Sequence, residues 1–489
     1  MRHANASTTS TQRPSAARAW GTSPPLRIGY LPFYVDYYEG ICPDFPREKA
    51  AVAKRCADEL SKRGTVVWHG QLVRDADVAA EVGERLAGER VDCIVVVTTI
   101  AVFSGIPWAA LRHLPVPILI WNAQQIETVG KNYSMVEIVR HTGQIGTQAL
   151  ANTLLREGRW FRVVTGYENN PRTGEQLDRF LGVCRAVARV RQGRLLAVGS
   201  TFPLMNDVEL DDEYAAEHLG PTVTHVTPAE LTVRYEAVSD LDVAAHVARL
   251  NCDHDVHDIK PDELSRSARL CEAVASLADE HRADAGSVNC HGPNCLRNPS
   301  IGITACYSLG YQNSLGRPFT CTGDLPTALA MLILKQLTGA AMYTEVQVMD
   351  ERRNAVVIAN SGEGEEAVRR PGAKSTVRGN ANFKGLHGRG ASFAYPLRPG
   401  PATVVSLTPT PRGPKRFRLV VAEGEIRDDP LPDAGALAGF FRFASGDVEE
   451  AYTRWLEAGP VHHAGTAPGH WAKELADVAE LLGMEMVRV

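Results

Sequence analysis

Two stretches of this 489-residue chain gather the carboxylates and imidazoles that could hold a metal ion or move a proton. The first covers residues 321–345, CTGDLPTALAMLILKQLTGAAMYTE, with Asp324 in a small polar turn and Glu345 just past an apolar run. The second, VHHAGTAPGH, carries His462 and His463, with His470 seven residues beyond His463. A His pair behind a Gly-Pro turn can direct one imidazole inward as a ligand and leave the other to orient it. The alternative is a capping loop with both rings in solvent. Glu345 and His463 offer one hard oxygen and one imidazole, which suit Mn²⁺, Fe²⁺ or Zn²⁺ better than Ca²⁺. Two protein ligands make a weak site, so a third is expected.

Softer donors occur at Cys290, His291, Cys295, Cys306 and Cys321. They are numerous enough for zinc but irregularly spaced, and a strand end followed by a loop of small residues accounts for Cys290 without a metal. His291 follows a strand end in an α/β pattern, where ligands usually bind, and is a candidate binding residue. Cys252, His254 and His257 in NCDHDVHD lack a second pair at the standard zinc spacing. A solvated loop before a helix accounts for them.

These residues need elements to position them. In the 321–345 stretch, Asp324 is a good N-cap, Pro326 suits a first turn and Gly339 a C-terminal stop. Nearly every residue from 325 to 337 is apolar, which predicts a helix covered on most sides. Upstream, apolar strands at 26–32, 65–70, 93–99 and 117–123 alternate with helices at 48–64, 75–90 and 141–159. Near-continuous apolar strands separated by helices predict a doubly wound, parallel α/β domain over 26–160. A strand at 161–167 restarts the rhythm. A helix at 175–193 and strands at 194–200, 221–227 and 284–290 then predict a second α/β (Rossmann-like) domain over 161–342. From 343 to 489, runs such as NAVVIAN, ATVVSLTPT, RFRLVVAEGEI and GFFRFAS, broken by Gly and Pro, predict a β-rich third domain. It ends in a helix at 471–483 and a last strand.

Composition narrows the function. The net charge of −5 gives no basic excess for nucleic acid, and no apolar run is long enough to span a membrane. Ten scattered cysteines in a large chain without a secretory h-region point to reduced thiols in the cytoplasm. Residues 1–25, rich in Ser, Thr, Ala, Arg and Pro, read as a disordered tail, with an organellar transit peptide as the alternative. Neither α/β unit carries GxGxxG or GxxxxGK[ST], so no nucleotide cofactor is expected.

The order of two α/β domains and a β-rich third resembles the L-fucose and L-arabinose isomerases, and so do several stretches from residue 26 onward. CTGDLPTALAMLIL resembles that family's C-E-G-D-x-x-x-A-L segment, and GAAMYTEVQVMD its following strand with an acidic metal ligand. IANSGEG (358–364) stands where the family often has an H-x-G turn, and LRPGPATVVSL resembles its K-P-G-P-x-T strand. VHHAGTAPGH with AELLGME resembles its C-terminal H-x₆-H stretch, and ANTLLREGRWFRVVTG the junction of its first two domains. The resemblance implies an aldose–ketose isomerase that uses a divalent ion, usually Mn²⁺, and a carboxylate that moves a proton through an ene-diol. It also implies a sugar-like substrate and a homo-oligomer, a trimer or hexamer, with sites at subunit contacts.

Carried over by position, the resemblance makes Glu345 and His463 metal ligands, with Glu345 and Asp324 in catalysis. Thr322, His291, Asn360, His462 and His470 would meet the substrate. Thr322 stands where the family has a glutamate that ligates and shuttles the proton, and Asn360 or Ser361 stands near its turn His. Asp324, Asp350 and Glu363 are carboxylates that could compensate. The alternative is a member without isomerase activity, running a metal-free reaction on a sugar-like substrate or binding one.

Overall fold

The computed structural model describes residues 25–430 and 436–489. Apart from Pro25, the tail expected over 1–25 lies outside the described residues. The first sheet is five parallel strands, β1 (Arg27–Phe33), β2 (Thr65–Val67), β3 (Cys93–Thr98), β4 (Ile118–Ala123) and β5 (Phe161–Gly166), in the order β2-β1-β3-β4-β5. All six residues of β3 are buried, as expected for a central parallel strand covered on both faces.

One expectation is revised here. The strand at 161–166 does not open the second unit; β5 pairs in parallel with β4 from Ile118↔Phe161 to Ala123↔Gly166 and completes the first sheet. The pattern of strand then helix is the same whichever sheet the strand joins, so periodicity could not decide this. The helix Pro171–Arg191 that follows lies between the two units. Leu177 and Leu181 pack into the first core, Val187 and Val190 into the second.

The second sheet holds β6 (Arg194–Val198), β7 (Thr222–Val226), β9 (Ala285–Val288) and β10 (Phe319–Cys321), parallel and ordered β10-β9-β6-β7. Between them, β8 (Asp255–His257) leaves this sheet and pairs with β13 (Thr376–Gly379), which pairs with β14 (Ala391–Ala394). The segment read as a solvated loop is therefore a short strand joining the second unit to the C-terminal one. His254 Nδ1 there bonds Ser375 Oγ at 2.7 Å.

The C-terminal region is built from β11 (Met342–Asp350), β12 (Ala355–Asn360), β15 (Gly400–Pro409), β16 (Phe417–Ile426), β17 (Leu437–Phe443) and β18 (His463–Pro468). They run in the order β15-β18-β11-β12-β17-β16, and β15 pairs with β16 along ten residues, closing a six-stranded barrel. The last strand, β19 (Glu485–Arg488), adds to β16 in parallel. Closure leaves no edge among the six strands.

The apolar helix forms over Leu325–Thr338, capped by the Asp324 side chain on Thr327 N and stopped by Gly339 in the left-handed conformation. Every residue from Leu325 to Leu334 is buried. The helix packs on Pro171–Arg191, on β9 of the second sheet and on β15 and β18 of the barrel, so it joins the two cores. Gly465 allows the close approach on the barrel side, because a Cβ there would sit 3.0 Å from Met331 and Leu334 side-chain atoms.

Candidate active site

The site forms where the N-terminus of that helix meets the barrel. β11 and β18 are antiparallel neighbours with Glu345 directly opposite His463. Cross-strand partners have side chains within contact distance, so the register alone brings the two together. Glu345 Oε1 lies 3.7 Å from His463 Nε2. On the other side of the ring, Nδ1 meets Asp324 Oδ2 at 2.8 Å. Asp324 is fully buried, and its Oδ1 accepts from Thr327 N at 2.8 Å. One carboxylate thus caps the helix and fixes the orientation of His463, the arrangement that commonly backs a metal-ligating histidine. Tyr343, two residues before Glu345 on the same face of β11, tilts over the His463 ring with centroids 4.6 Å apart.

The charges follow from this geometry. Burial alone would lower the His463 pKa, but the hydrogen bond to Asp324 and the ion pair with Glu345 prevail and lift it to about 9. The same interaction with the His463 charge holds Glu345 below the usual carboxylate range, against burial. Glu363, in the IANSGEG turn after β12, goes the other way. Its burial raises it, and the nearby negative charge of Glu345 adds to the rise, while Cys306 and His463 oppose it. The two carboxylates are thus shifted in opposite directions by their surroundings.

Glu345 and His463 supply two donors suited to a divalent cation, and no third acid, imidazole or thiol forms a compact group with them among the described residues, so the third ligand expected from sequence is not found there. Two donors on one ion at about 2.1 Å each sit roughly 3.0–3.5 Å apart, close to the observed Glu345–His463 separation. Glu363, outside that pair, has a buried Oε2 with no hydrogen-bond partner among the described residues. Glu345 keeps part of its side chain open to solvent.

Thr322 occupies the turn between β10 and the helix at φ +58°, a left-handed conformation unusual for a β-branched residue. Gly323 follows at φ +82°, where a Cβ would lie 2.5 Å from Thr201 Cα. The Thr322 carbonyl accepts from Phe202 N, and its hydroxyl donates to the Cys321 carbonyl at 2.8 Å.

The remaining expected site residues divide. Asn360 is buried and bonded to the backbone. Its Nδ2 donates to Tyr343 O at 2.6 Å, and its Oδ1 accepts from Gly362 N at 2.8 Å. It shapes the turn that carries Glu363. His462 lies tilted against His463, centroids 3.8 Å apart, while its Nδ1 meets Asp207 Oδ2 at 2.6 Å. His291 lines a cavity of about 1010 Å³ with Asn289, Arg297 and Lys384, beside Gly199 at the end of β6. Interaction with the Cys321 thiol raises its pKa. His470 lies past the opposite end of β18 and bonds Gly424 O at 3.0 Å. The strand between it and His463 spans roughly 17 Å, so it does not join them. Asp350 sits at the far end of β11, engaged by Arg353. Tyr343 was not singled out from sequence, although its i, i+2 spacing to Glu345 on a strand was the available signal.

Residues 342–485 match the family model described as the L-arabinose isomerase C-terminal domain. The chain is 21% identical over 420 residues to a sulfoquinovose isomerase of Priestia megaterium, covering 86% of this chain and 88% of the relative. An L-arabinose isomerase of Acidothermus cellulolyticus is 23% identical over 341 residues, 67% of this chain and 66% of the relative. These matches support, at low identity, an arabinose-isomerase-like family whose named members are sugar isomerases.

Proposed function

We propose that this chain is a metal-dependent aldose–ketose isomerase with an altered site, and the observation that carries the reading is the Asp324–His463–Glu345 array. Glu345 and His463 would hold a divalent cation such as Mn²⁺, which when bound stabilises negative charge on the sugar carbonyl oxygen. Asp324 keeps the Nδ1 proton of His463 and so presents Nε2 toward Glu345. Glu363, its pKa raised by burial, takes the role that the family assigns to the glutamate at the Thr322 position. It removes the proton from C2 of the aldose. The C–H electrons form the C1=C2 bond while the C1=O π electrons move to O1, which takes up a proton to give the ene-diol. O2 then gives up its proton, C2=O forms, and C1 receives the proton that Glu363 carried. Carbon C1 is reduced and C2 oxidised within one molecule, so no external redox partner is needed.

L-arabinose and sulfoquinovose, named in the relatives, are the first sugars to test. The cavity beside His291 is lined by Arg297 and Lys384 and by no carboxylate. Neither cation has an ion-pair partner among the described residues, which favours a sugar bearing an anionic group. A cytoplasmic homo-oligomer, trimer or hexamer, belongs to this reading through the resemblance.

The test is isomerisation of an aldose panel, neutral and anionic, by EDTA-treated protein with and without added Mn²⁺. Turnover that depends on the metal and falls in Glu345→Gln supports the reading; no turnover on any sugar with metal bound overturns it. One observation favours a second reading, a member without isomerase chemistry: the Thr322 hydroxyl is bonded to the Cys321 carbonyl and supplies no carboxylate. That reading predicts no metal-dependent turnover in the wild type, and its gain in Thr322→Glu.

A further inference from the structure

A second group of donors lies on the other side of Thr322. Cys290 leaves β9, Cys321 ends β10, and these strands are parallel neighbours with Val288 opposite Cys321. Their sulfurs are 3.4 Å apart. One ligand atom each from Cys290, His291 and Cys321 lie within 4.8 Å of one another, and no other such group of three occurs among the described residues. The His291 ring is held edge-on by Phe202 and Phe383, centroids 5.2 and 5.3 Å away. Both thiols are buried, while His291 opens on the 1010 Å³ cavity.

We propose that Cys290, His291 and Cys321 form a zinc site, separate from the Glu345–His463 site, with its fourth coordination position open to the cavity. Two thiolates and one imidazole are soft donors that select Zn²⁺ over Mn²⁺, whereas the carboxylate–imidazole pair next to it suits the harder ion. Zinc–sulfur bonds of about 2.3 Å in a tetrahedron set two sulfurs roughly 3.8 Å apart, so the observed pair needs to open by only a few tenths of an ångström. Three protein ligands and one open position are the arrangement of exchangeable or catalytic zinc, while structural zinc is closed by four. Loading releases the two thiol protons to solvent, and no electron transfer is involved. The irregular sequence spacing hid the site because its ligands come from adjacent strand ends joined through the sheet. The inference does not rest on the isomerase reading, which also places its sugar in the cavity beside His291.

The test uses the full-length chain, EDTA-treated under reducing conditions and loaded with Zn²⁺ or Co²⁺. One Co²⁺ per chain should produce the near-ultraviolet thiolate-to-cobalt charge-transfer absorption. Cys290→Ser and Cys321→Ser should lose it, and each should weaken Zn²⁺ binding by more than about 100-fold, the upper end of what losing a partner that only orients a ligand does. Glu345→Gln should keep both. In the wild type, which avoids any folding defect of the variants, one equivalent of Zn²⁺ should displace the Co²⁺ and abolish the charge-transfer absorption. Cobalt loading without charge transfer, charge transfer unchanged by Zn²⁺, or a Cys290–Cys321 disulfide persisting under reductant would each overturn the proposal.

Discussion

Replacing Asp324 by Asn preserves shape while removing the charge that faces His463. The wild-type imidazole is raised from 6.5 to about 9 by Asp324 and Glu345 against burial. At about 1.4 kcal/mol for each pH unit between folded and unfolded pKa, that corresponds to about 3 kcal/mol of stability. Because the folded pKa is the higher, this contribution is fully present below pH 6.5 and is lost as pH rises through about 9. Asp324 supplies the shorter of the two contacts, 2.8 Å against 3.7 Å, and a hydrogen bond to a charged group contributes roughly 1.5–3 kcal/mol. Asp324→Asn should therefore lose roughly 2 kcal/mol at pH 6 and much less at pH 9.5. Its stability should be nearly flat across a window in which the wild type declines. The assay is urea unfolding at pH 6, 7.5 and 9.5 in EDTA, which keeps metal from competing with the proton at Nε2. If variant and wild type fall by the same amount between pH 6 and 9.5, Asp324 is not what charges His463, and the positioning role assigned to it fails.

Glu363→Gln should reduce kcat by about 10²- to 10⁴-fold on any sugar the wild type isomerises, while Mn²⁺ binding measured by calorimetry stays within a few-fold; unchanged kcat would remove Glu363 from proton transfer. Leu329→Ala, at a fully buried position of the central helix, should destabilise by about 2–5 kcal/mol in denaturant unfolding, and a loss under about 1 kcal/mol would contradict the packing described. Thr322→Gly should stabilise by roughly 1 kcal/mol, because glycine adopts φ +58° without the penalty of a β-branched side chain. A lower melting temperature would show that the Thr322 hydroxyl bond outweighs the strain.

The sequence by itself determined the local elements and their burial. The run 325–337 has apolar residues all round and an Asp cap, so it had to be a covered helix, and the Val- and Ile-rich strands before it had to be parallel and enclosed. Glu345 and His463 were legible as donors from type and position. Partnership across distance was not legible. A strand reads the same whichever sheet it joins, so Phe161–Gly166 could be assigned to the first sheet only by its pairing with β4. The spacing of His463 and His470 suggested a shared site, but β18 is extended and sends them to opposite ends. Asp324 looked like a local cap, since an N-cap carries no sign of what its second oxygen meets 139 residues away. The raised pKa of Glu363 and the meeting of Cys290, His291 and Cys321 likewise depend on enclosure and on neighbouring strand ends. Periodicity encodes which face of an element is buried; the identity of what lies against that face is settled only when the elements pack.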